Sequence, residues 1–348
     1  MNVNRKELHE ALKRVKSVVT STGLSVLSQV RLNHGELQAT DLKRQVIVPI
    51  KDMGFDVCVD YREFTSLISK TRFDELEISL VEVPEGDGKK LRVKSGDYDA
   101  SFALGDPEKF PVFTKPDLEK FVKMPPELRI GFGHCLSFAS TEQSRFFLNS
   151  VYVKNADVVS TDGRRLALYK IPEGHFVEGI LLPADLVHGI MEMSLDSYMM
   201  EKGQIWFHGD DGYLSGSLMD SQFVDYMKVI PKEDAMPLVE MEITKEQLAG
   251  SDIVRVFGMD NMAVDVEIAG DKLQMNSVTD RGSIRFETKI EGREVDAPDA
   301  RFRINYGYLM DALKEEQMTM GLYQAGHGKM VKLTAGAFLA VVMGIAED

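Results

Sequence analysis

The sequence is short of cysteine and of long apolar runs, and each shortage excludes a class of protein. Only two of the 348 residues are cysteines. Cys58 and Cys135 show no paired spacing, which argues against a disulfide-stapled scaffold and favours a reducing compartment. The longest apolar run, 337–342, falls far short of the roughly 20 residues that span a bilayer. The opening residues MNVNRKELHE lack the apolar centre of a signal peptide. We therefore expect a cytoplasmic protein.

Motifs that carry chemistry are also lacking. The seven histidines are scattered, and no pair has the spacing of a zinc site. The sequence contains no phosphate-binding P-loop, no dinucleotide-binding glycine motif and no nucleophile elbow. Acidic pairs such as Asp210-Asp211 lie in glycine-rich turns, where turn chemistry explains them. We expect no catalytic residue, no metal and no cofactor; a two-metal nuclease, which needs converging carboxylates, is a third-ranked alternative.

Basic residues are outnumbered, since the net charge is −14, which by itself argues against a nucleic-acid binder. The segment 4–20 departs from this balance. Its apolar residues recur at helical spacing on one face, which predicts an amphipathic helix. Its polar surface carries five cations against Glu7 and Glu10. Two interpretations stay open, an ordinary solvated face or a surface that faces phosphates, and the cations concerned are Arg5, Lys6, Lys13, Arg14 and Lys16.

A hairpin pattern occurs three times in the chain. Residues 157–171, DVVSTDGRRLALYKI, place Asp-Gly between two strand-like runs, which is a strong hairpin signal. Similar stretches with a Thr-Asp pair and a following basic residue lie at 36–50 and 272–290. The three threonines, Thr40, Thr161 and Thr279, are 121 and 118 residues apart, close to one third of the 348 residues. This spacing predicts three copies of one domain.

The pattern of helices and strands repeats with the same period. We predict first helices at 4–20, 125–139 and 244–257, and second helices at 61–70, 183–193 and 305–316. Strand-like runs fill the rest of each third. The interpretation is an α+β fold of three tandem, similar domains, 1–115, 116–238 and 239–348, each with two helices on antiparallel sheets.

Several stretches in register resemble the bacterial DNA polymerase III β subunit, the sliding clamp family. They are STDGRRLAL, ELQATDL, DYDASFALGDPEKFP, ILLPADLVHGI, QFVDYMKVIP and FRINYGYLMDAL. The resemblance implies three clamp domains per chain, forming half of a six-domain ring closed by a head-to-tail homodimer. It implies a non-catalytic processivity factor whose partners are duplex DNA, bound without sequence preference, and short peptide motifs of DNA polymerase and the clamp loader.

The resemblance also implies site residues. The motif positions predict a groove for apolar partner peptides, formed by Leu148, Thr161, Gly163, Arg164, Arg165, Leu166, Lys228, Val229, Asn305, Tyr308, Val341 and Met343. The apolar members of this set could instead be core residues. The predicted dimer contacts are Phe102 and Leu104 on one side and Val256 and Phe257 on the other.

The chain departs from the family's pattern at several positions. Arg164 replaces a common histidine, Val224 replaces a proline, and Lys228 stands where arginine is frequent. The chain ends in Glu347-Asp348, and the predicted helices at 183–193 and 305–316 carry few cations. The altered C-terminus and the sparse cations motivate a rival hypothesis, a clamp-fold adaptor or decoy that binds peptides without encircling DNA.

Overall fold

The fold was analysed in a computed structural model that describes residues 1–21, 23–83, 88–111, 114–172, 176–257, 262–290 and 298–346. The first third of the chain contains the helices α1 (Arg5–Val15) and α2 (Tyr61–Lys70). Its strands are β1 (Asn2–Asn4), β2 (Gln29–Asn33), β3 (Glu36–Thr40), β4 (Arg44–Pro49), β5 (Asp56–Asp60), β6 (Glu75–Glu82), β7 (Lys89–Ser95) and β8 (Tyr98–Ala103).

The middle third contains the helices α3 (Pro126–Cys135) and α4 (Ala184–Glu192). Its strands are β9 (Val122–Lys123), β10 (Ser150–Asn155), β11 (Asp157–Thr161), β12 (Arg165–Lys170), β13 (Phe176–Pro183), β14 (Ser197–Glu201), β15 (Gln204–Gly209) and β16 (Gly212–Ser217).

The last third contains one α-helix, α5 (Tyr306–Ala312), within the described residues. Its strands are β17 (Val239–Thr244), β18 (Ala263–Ala269), β19 (Lys272–Thr279), β20 (Gly282–Lys289), β21 (Ala300–Asn305), β22 (Gln317–Ala325), β23 (Gly328–Ala335) and β24 (Phe338–Met343).

The order of elements repeats from third to third: one strand, a helical segment, four strands, a helix and three strands. Side chains that end the preceding strand start several of the helices. Asn4, Asp60 and Asn305 each accept hydrogen bonds from backbone N–H groups of the first turn that follows, which satisfies donors that a helix leaves free at its start. The same local signal thus places the helices of different thirds.

One predicted helix, 244–257, is wrong. Thr244 ends β17, turns follow, and only Ser251–Phe257 is helical, as a 3₁₀ segment. Gly250 has φ +80°, a left-handed conformation that ends helical geometry. The β-branched Ile253, Val254 and Val256 have low helix propensity. These residues therefore favour a short 3₁₀ segment over an α-helix in this stretch.

The predicted helix at 125–139 is shorter than expected, because α3 ends at Cys135 and a 3₁₀ turn follows. Gly131 lies in α3 because the helix runs close to its sheet. A Cβ on Gly131 would lie 3.0 Å from a methyl group of Val158. This glycine permits a close helix–sheet approach at some cost in helix propensity.

Two compact units make up the chain. Unit 1 comprises Met1–Pro126 and Asp185–Leu218, and unit 2 comprises Glu127–Ala184 and Met219–Asp348. Each unit contains one eight-stranded and one four-stranded antiparallel sheet. The orders are β5-β2-β3-β4-β16-β15-β14-β9 and β1-β6-β7-β8 in unit 1, and β13-β10-β11-β12-β24-β23-β22-β17 and β20-β19-β18-β21 in unit 2. Each eight-stranded sheet thus joins strands from two consecutive thirds of the chain.

The two eight-stranded sheets are joined in the same register. Gln45 of β4 pairs with Ser215 of β16, and Leu166 of β12 pairs with Val341 of β24. A two-residue turn precedes both β16 and β24. Ser215 is the fourth residue of β16 and Val341 is the fourth residue of β24, so the two residues are equivalent in the repeat. The repeat therefore extends from element order to individual residue pairs.

Candidate functional site

A groove of about 400 Å³ lies at the junction of β12 and β24 in unit 2. Its lining is mainly apolar and converges from four parts of unit 2. The lining residues are Arg145, Phe147, Leu148, Thr161, Gly163, Arg164, Arg165, Leu166, Val224, Asp225, Tyr226, Val229, Val341 and Met343. The volume falls in the range of sites that bind small ligands or a few side chains.

The floor of the groove is also part of the core. Leu148, Leu166 and Val341 are 1–3% exposed, and they pack with Val159 and Phe223 in one buried cluster. Both interpretations of these residues therefore hold at once, because one face of each side chain packs inward and the other borders the groove. A floor held by core packing is largely formed before a ligand arrives.

The segment after β16 forms one wall. Tyr226 donates a hydrogen bond from its hydroxyl to Asp157 Oδ2 at 2.7 Å, and Phe223 stacks on Tyr152 with ring centroids 4.8 Å apart. Burial, followed by this contact with Asp157, raises the pKa of Tyr226. Val224 and Val229 remain exposed along the rim. Anchored aromatic rings thus hold two apolar side chains at the mouth of the groove.

The Thr161-Asp162-Gly163 turn forms another part of the lining. Asp162 Oδ1 accepts hydrogen bonds from the backbone N–H groups of Arg164 and Arg165, at 2.9 and 3.0 Å. Thr161 donates from Oγ1 to the carbonyl of Arg165 at 2.6 Å. Gly163 has φ +86°, which glycine adopts without the steric cost that other residues bear. The turn is therefore rigid and is built by the motif itself.

Arg165 uses its guanidinium to hold the structure together. Its side chain is only 9% exposed and donates to Asp162, to Asp311 of α5 and to the carbonyl of Ser137. The guanidinium also lies over the ring of Tyr308, 4.3 Å from its centroid. Although Arg165 lines the groove, these contacts occupy most of the N–H donors of its guanidinium.

Arg44 makes comparable contacts in unit 1, although it reaches a backbone carbonyl of α4 where Arg165 reaches a carboxylate of α5. It donates to Asp41 Oδ2, to the carbonyl of Ser17 at 2.8 Å and to the carbonyl of Asp185 at 3.0 Å. Asp41 precedes Arg44 by three residues, as Asp162 precedes Arg165. We call Arg44 and Arg165 the turn arginines. Each ties its hairpin to a helix of the following third, α4 or α5, so their shared role is to fix the junction.

Nine of the twelve predicted groove residues line the groove, and three do not. Asn305 caps α5 by accepting from the N–H of Tyr308 at 3.0 Å. Tyr308 lies behind the turn, against Arg165. Lys228 points to solvent and pairs with Asp225 at 3.0 Å. Their predicted contact with a partner remains a prediction.

Five lining residues were not among the predicted ones: Arg145, Phe147, Val224, Asp225 and Tyr226. The sequence predicts a strand from 147, but residues 143–148 form a 3₁₀ segment and β10 begins at Ser150. Arg145 interrupts that segment with φ −120° and ψ 56°, and its position over the turn follows from this kink. Only Val224 carried a signal, as the replacement of a motif proline.

Most cations of α1 are engaged by carboxylates. Arg14 pairs with Asp211 at 2.8 Å, Lys13 pairs with Glu10 at 2.8 Å, and Lys6 pairs with Asp74 at 3.3 Å. Arg5 is 16% exposed and lies 3.9 Å from Asp74. Lys16 is exposed. The predicted helix thus presents its cations, but several already have an acidic neighbour.

The predicted dimer residues differ in exposure. Phe102 is 9% exposed and packs edge-on against Phe64, with centroids 5.6 Å apart. Leu104 is half-buried. Val256 is 68% exposed on the 3₁₀ segment, whereas the side chain of Phe257 lies outside the described residues, as do Glu347 and Asp348.

Metal ligands, thiols and membrane spans also bear on function. In the described part of the chain, no three His, Cys, Asp or Glu side chains are placed to hold a metal ion. Both cysteines are buried, and burial raises the pKa of the Cys58 thiol to about 12, so it carries little thiolate at neutral pH. Within the same residues, every helix is too short or too polar to span a bilayer.

The chain resembles curated and solved proteins of one kind, although no model of a known protein family matches it. It is 26% identical over 264 residues to the Beta sliding clamp of Caulobacter vibrioides, covering 68% of this chain and 69% of that protein. It is 23% identical over 290 residues to the Beta sliding clamp of Proteus mirabilis, covering 75% and 77%. The sliding clamp (DNA polymerase III subunit beta) of Bartonella birtlesii, solved bound to griselimycin, matches 100% of this chain and 99% of its own at a TM-score of 0.84 and 20% identity.

These comparisons confirm the predicted resemblance to bacterial β sliding clamps and the α+β fold of helices on antiparallel sheets. The curated relatives are sliding clamps, and the Bartonella protein is a subunit of DNA polymerase III.

Proposed function

We propose that this protein is a cytoplasmic DNA sliding clamp: a processivity factor, without cofactor, that encircles duplex DNA as a head-to-tail homodimer. It tethers DNA polymerase, the clamp loader and other proteins through peptides bound in the groove. Its domains are 1–115, 116–238 and 239–348, whose boundaries fall between β8 and β9 and between β16 and β17. The observation that carries the proposal is the repeated junction, because two of three equivalent junctions lie within the chain.

The third junction requires a second copy. At the internal junctions, β4 pairs with β16 and β12 pairs with β24. The corresponding strands of the remaining junction, β20 and β8, are the end strands of the two four-stranded sheets. An exposed strand edge is a template for pairing with another chain. Pairing of β20 with β8 of a second copy, and the reverse, gives two seams and a closed dimer.

The repeat specifies the register of that seam. Asn276 is the fifth residue of β19, as Thr161 is the fifth residue of β11. Asn276 pairs with Arg285 in the same way that Thr161 pairs with Leu166. Because Leu166 pairs with Val341, Arg285 should face Ser101 of the second copy. Ile284 then faces Phe102, which supports Phe102 as a seam residue. Val256 lies on the 3₁₀ segment that packs beside β19 and β20.

The rival function, an adaptor that binds peptides without encircling DNA, is favoured by the ion pairs of α1. Phosphates would have to compete with Asp211, Glu10 and Asp74 for those cations. Surface ion pairs contribute only about 0–1 kcal/mol, so competition by closely spaced phosphates is feasible. We therefore favour the clamp.

A cross-link tests the seam. One chain would carry Ser101→Cys and its partner Arg285→Cys, because directly opposed residues on one face have Cβ atoms about 5 Å apart. We expect a disulfide-linked dimer under mild oxidation. The control pairs Ala103→Cys with Arg285→Cys, two residues out of register, and should cross-link poorly. Equal cross-linking of both pairs would contradict the register. A light-scattering mass that stays at 39.0 kDa would contradict the dimer.

Retention on DNA separates the clamp from the adaptor. A dimer with both Ser101→Cys and Arg285→Cys in each chain, cross-linked at both seams around circular DNA, should stay bound. It should leave after the DNA is cut, because its attachment is topological. Lys13→Glu with Lys16→Glu should weaken binding to short duplexes and reduce its salt dependence, whereas Lys202→Glu on the β14–β15 turn should not. Peptide binding with no retention on circular DNA would establish the adaptor instead.

A further inference from the structure

The groove carries two cations at one end, and the inference drawn from them rests on the proposed peptide-binding function. Arg145 and Arg164 line the groove and are exposed. Among the residues that the structure describes, neither forms an ion pair. On the far wall, by contrast, Asp225 is neutralised by Lys228 at 3.0 Å. The apolar floor therefore has a positive end beside the turn.

The turn brings these two arginines together. A Cβ on Gly163 would lie 3.0 Å from Nη1 of Arg145, so the guanidinium of Arg145 occupies space that a larger residue would fill. Arg164 follows Gly163 in the chain. Interaction with the nearby Tyr308 side chain, with smaller contributions from the charges of Glu142 and Asp162, raises the pKa of Arg164. Both arginines thus line the groove next to Gly163.

The carboxylate of the turn itself is already in use. Asp162 accepts from the N–H groups of Arg164 and Arg165 and from the side chain of Arg165. Elsewhere in this chain of net charge −14, cations such as Arg14 and Arg165 pair closely with carboxylates. An unpaired pair of guanidinium groups beside an apolar floor is complementary to a carboxylate attached to apolar side chains.

We propose that the groove selects apolar peptides that carry a carboxylate at the end next to Gly163, with Arg145 and Arg164 as the specificity-determining residues. The carboxylate can belong to an Asp or Glu side chain or to a free C-terminus, since a guanidinium fork binds either. The replacement of the family's histidine by Arg164 makes this preference permanent at neutral pH, because arginine stays charged.

The test measures binding of fluorescein-labelled hexapeptides of Leu, Phe and Ser by fluorescence anisotropy. One position is varied in turn among Asp, Asn and Lys, and a further set compares a free C-terminal carboxylate with its amide. We expect the best Asp or free-carboxylate peptide to bind about three- to tenfold more tightly than its neutral counterpart at low salt, with the ratio shrinking as salt screens the charges.

Arg145→Gln and Arg164→Gln should each reduce the ratio, and the double variant should abolish it, so that the Asp and Asn peptides bind with equal affinity. Lys154→Gln, an exposed cation at the other end of β10, serves as the control and should retain the full preference. Equal binding of Asp, Asn and Lys peptides would overturn this inference and leave peptide binding intact. A preference that survives in the double variant would also overturn it. Failure of every apolar peptide to bind would refute the proposed groove function itself.

Discussion

At the scale of single residues, the two equivalent turns that contain Leu42 and Gly163 place different residue types at a positive φ. Gly163 and Leu42 both follow a Thr-Asp pair, with φ values of +86° and +73°. A left-handed conformation costs a non-glycine residue roughly 1–2 kcal/mol. Leu42 is also largely exposed, so little packing offsets this cost.

We predict that Leu42→Gly raises the free energy of unfolding by about 0.5–1 kcal/mol, because relief of strain exceeds the added flexibility of glycine. Chemical denaturation would measure the change. The reciprocal control, Gly163→Leu, should destabilise the protein and displace Arg145. A loss of stability in Leu42→Gly would contradict the strain.

The turn arginines offer a second prediction at this scale. Arg165→Gln should lower the free energy of unfolding by about 1–3 kcal/mol, because Asp162 and Asp311 lose a charged partner. Arg44→Gln is the comparison variant outside the groove, since Arg44 also pairs with the aspartate three residues before it and donates to a backbone carbonyl. We expect similar losses in thermal denaturation. If Arg165→Gln left stability unchanged while Arg44→Gln lowered it, the role of Arg165 would be ligand contact.

Element scale. The strands and hairpins near the groove follow from local signals, which the sequence displays. Turn chemistry predicts the β11–β12 hairpin, and the helix 61–70 matches α2 residue for residue. The third Thr-Asp pair misled the comparison of repeats. Thr279 lies three residues beyond the position of Thr161, because the β19–β20 hairpin is longer. A short motif cannot reveal such an extension.

The groove was predictable only in part, for a related reason. Motif resemblance identified residues on regular strands, such as Leu166 and Val341. Arg145 reaches the groove through a backbone kink, and Arg165 is committed to Asp311, which lies 146 residues away. Irregular backbone and long-range pairing leave no periodic trace in a sequence.

An ion pair between adjacent strands predicts a pH dependence. Arg31 of β2 donates to both carboxylate oxygens of Asp56 on β5, at 2.7 and 2.6 Å. The hydrogen bonds with Arg31, opposed by desolvation, hold the pKa of Asp56 below its usual value. Such a carboxyl stabilises the fold above the unfolded pKa of about 3.9, and the contribution disappears as the pH falls through the lower folded pKa.

Asp56→Asn should therefore cost roughly 1 kcal/mol at pH 7, and the difference from the unaltered protein should vanish at more acidic pH. Urea denaturation across a pH series would show this. Asp97→Asn, in an exposed turn, should have no comparable effect. A constant difference down to pH 2 would assign the loss to packing.

Whole-molecule scale. The proposed seam predicts a monomer variant. Ile284→Asp places a charge opposite Phe102 of the second copy, in an apolar setting where an unpaired carboxylate is costly. Light scattering should shift from twice 39.0 kDa to the monomer mass, while groove peptides still bind. Val278→Asp, near the exposed tip of the same hairpin, should remain dimeric. A dimer that persists in Ile284→Asp would contradict this seam.

The turn arginines also distinguish the three junctions. Arg44 and Arg165 reinforce the two junctions inside each chain, but the equivalent position on β20 is Ile284, which has no charge to reach the next helix. If a closed ring were strained equally at all its junctions, the seams between chains would therefore separate first. Opening would then be a reversible separation of intact subunits, and the time that a ring stays on circular DNA would be set by its seams and not by the stability of its domains.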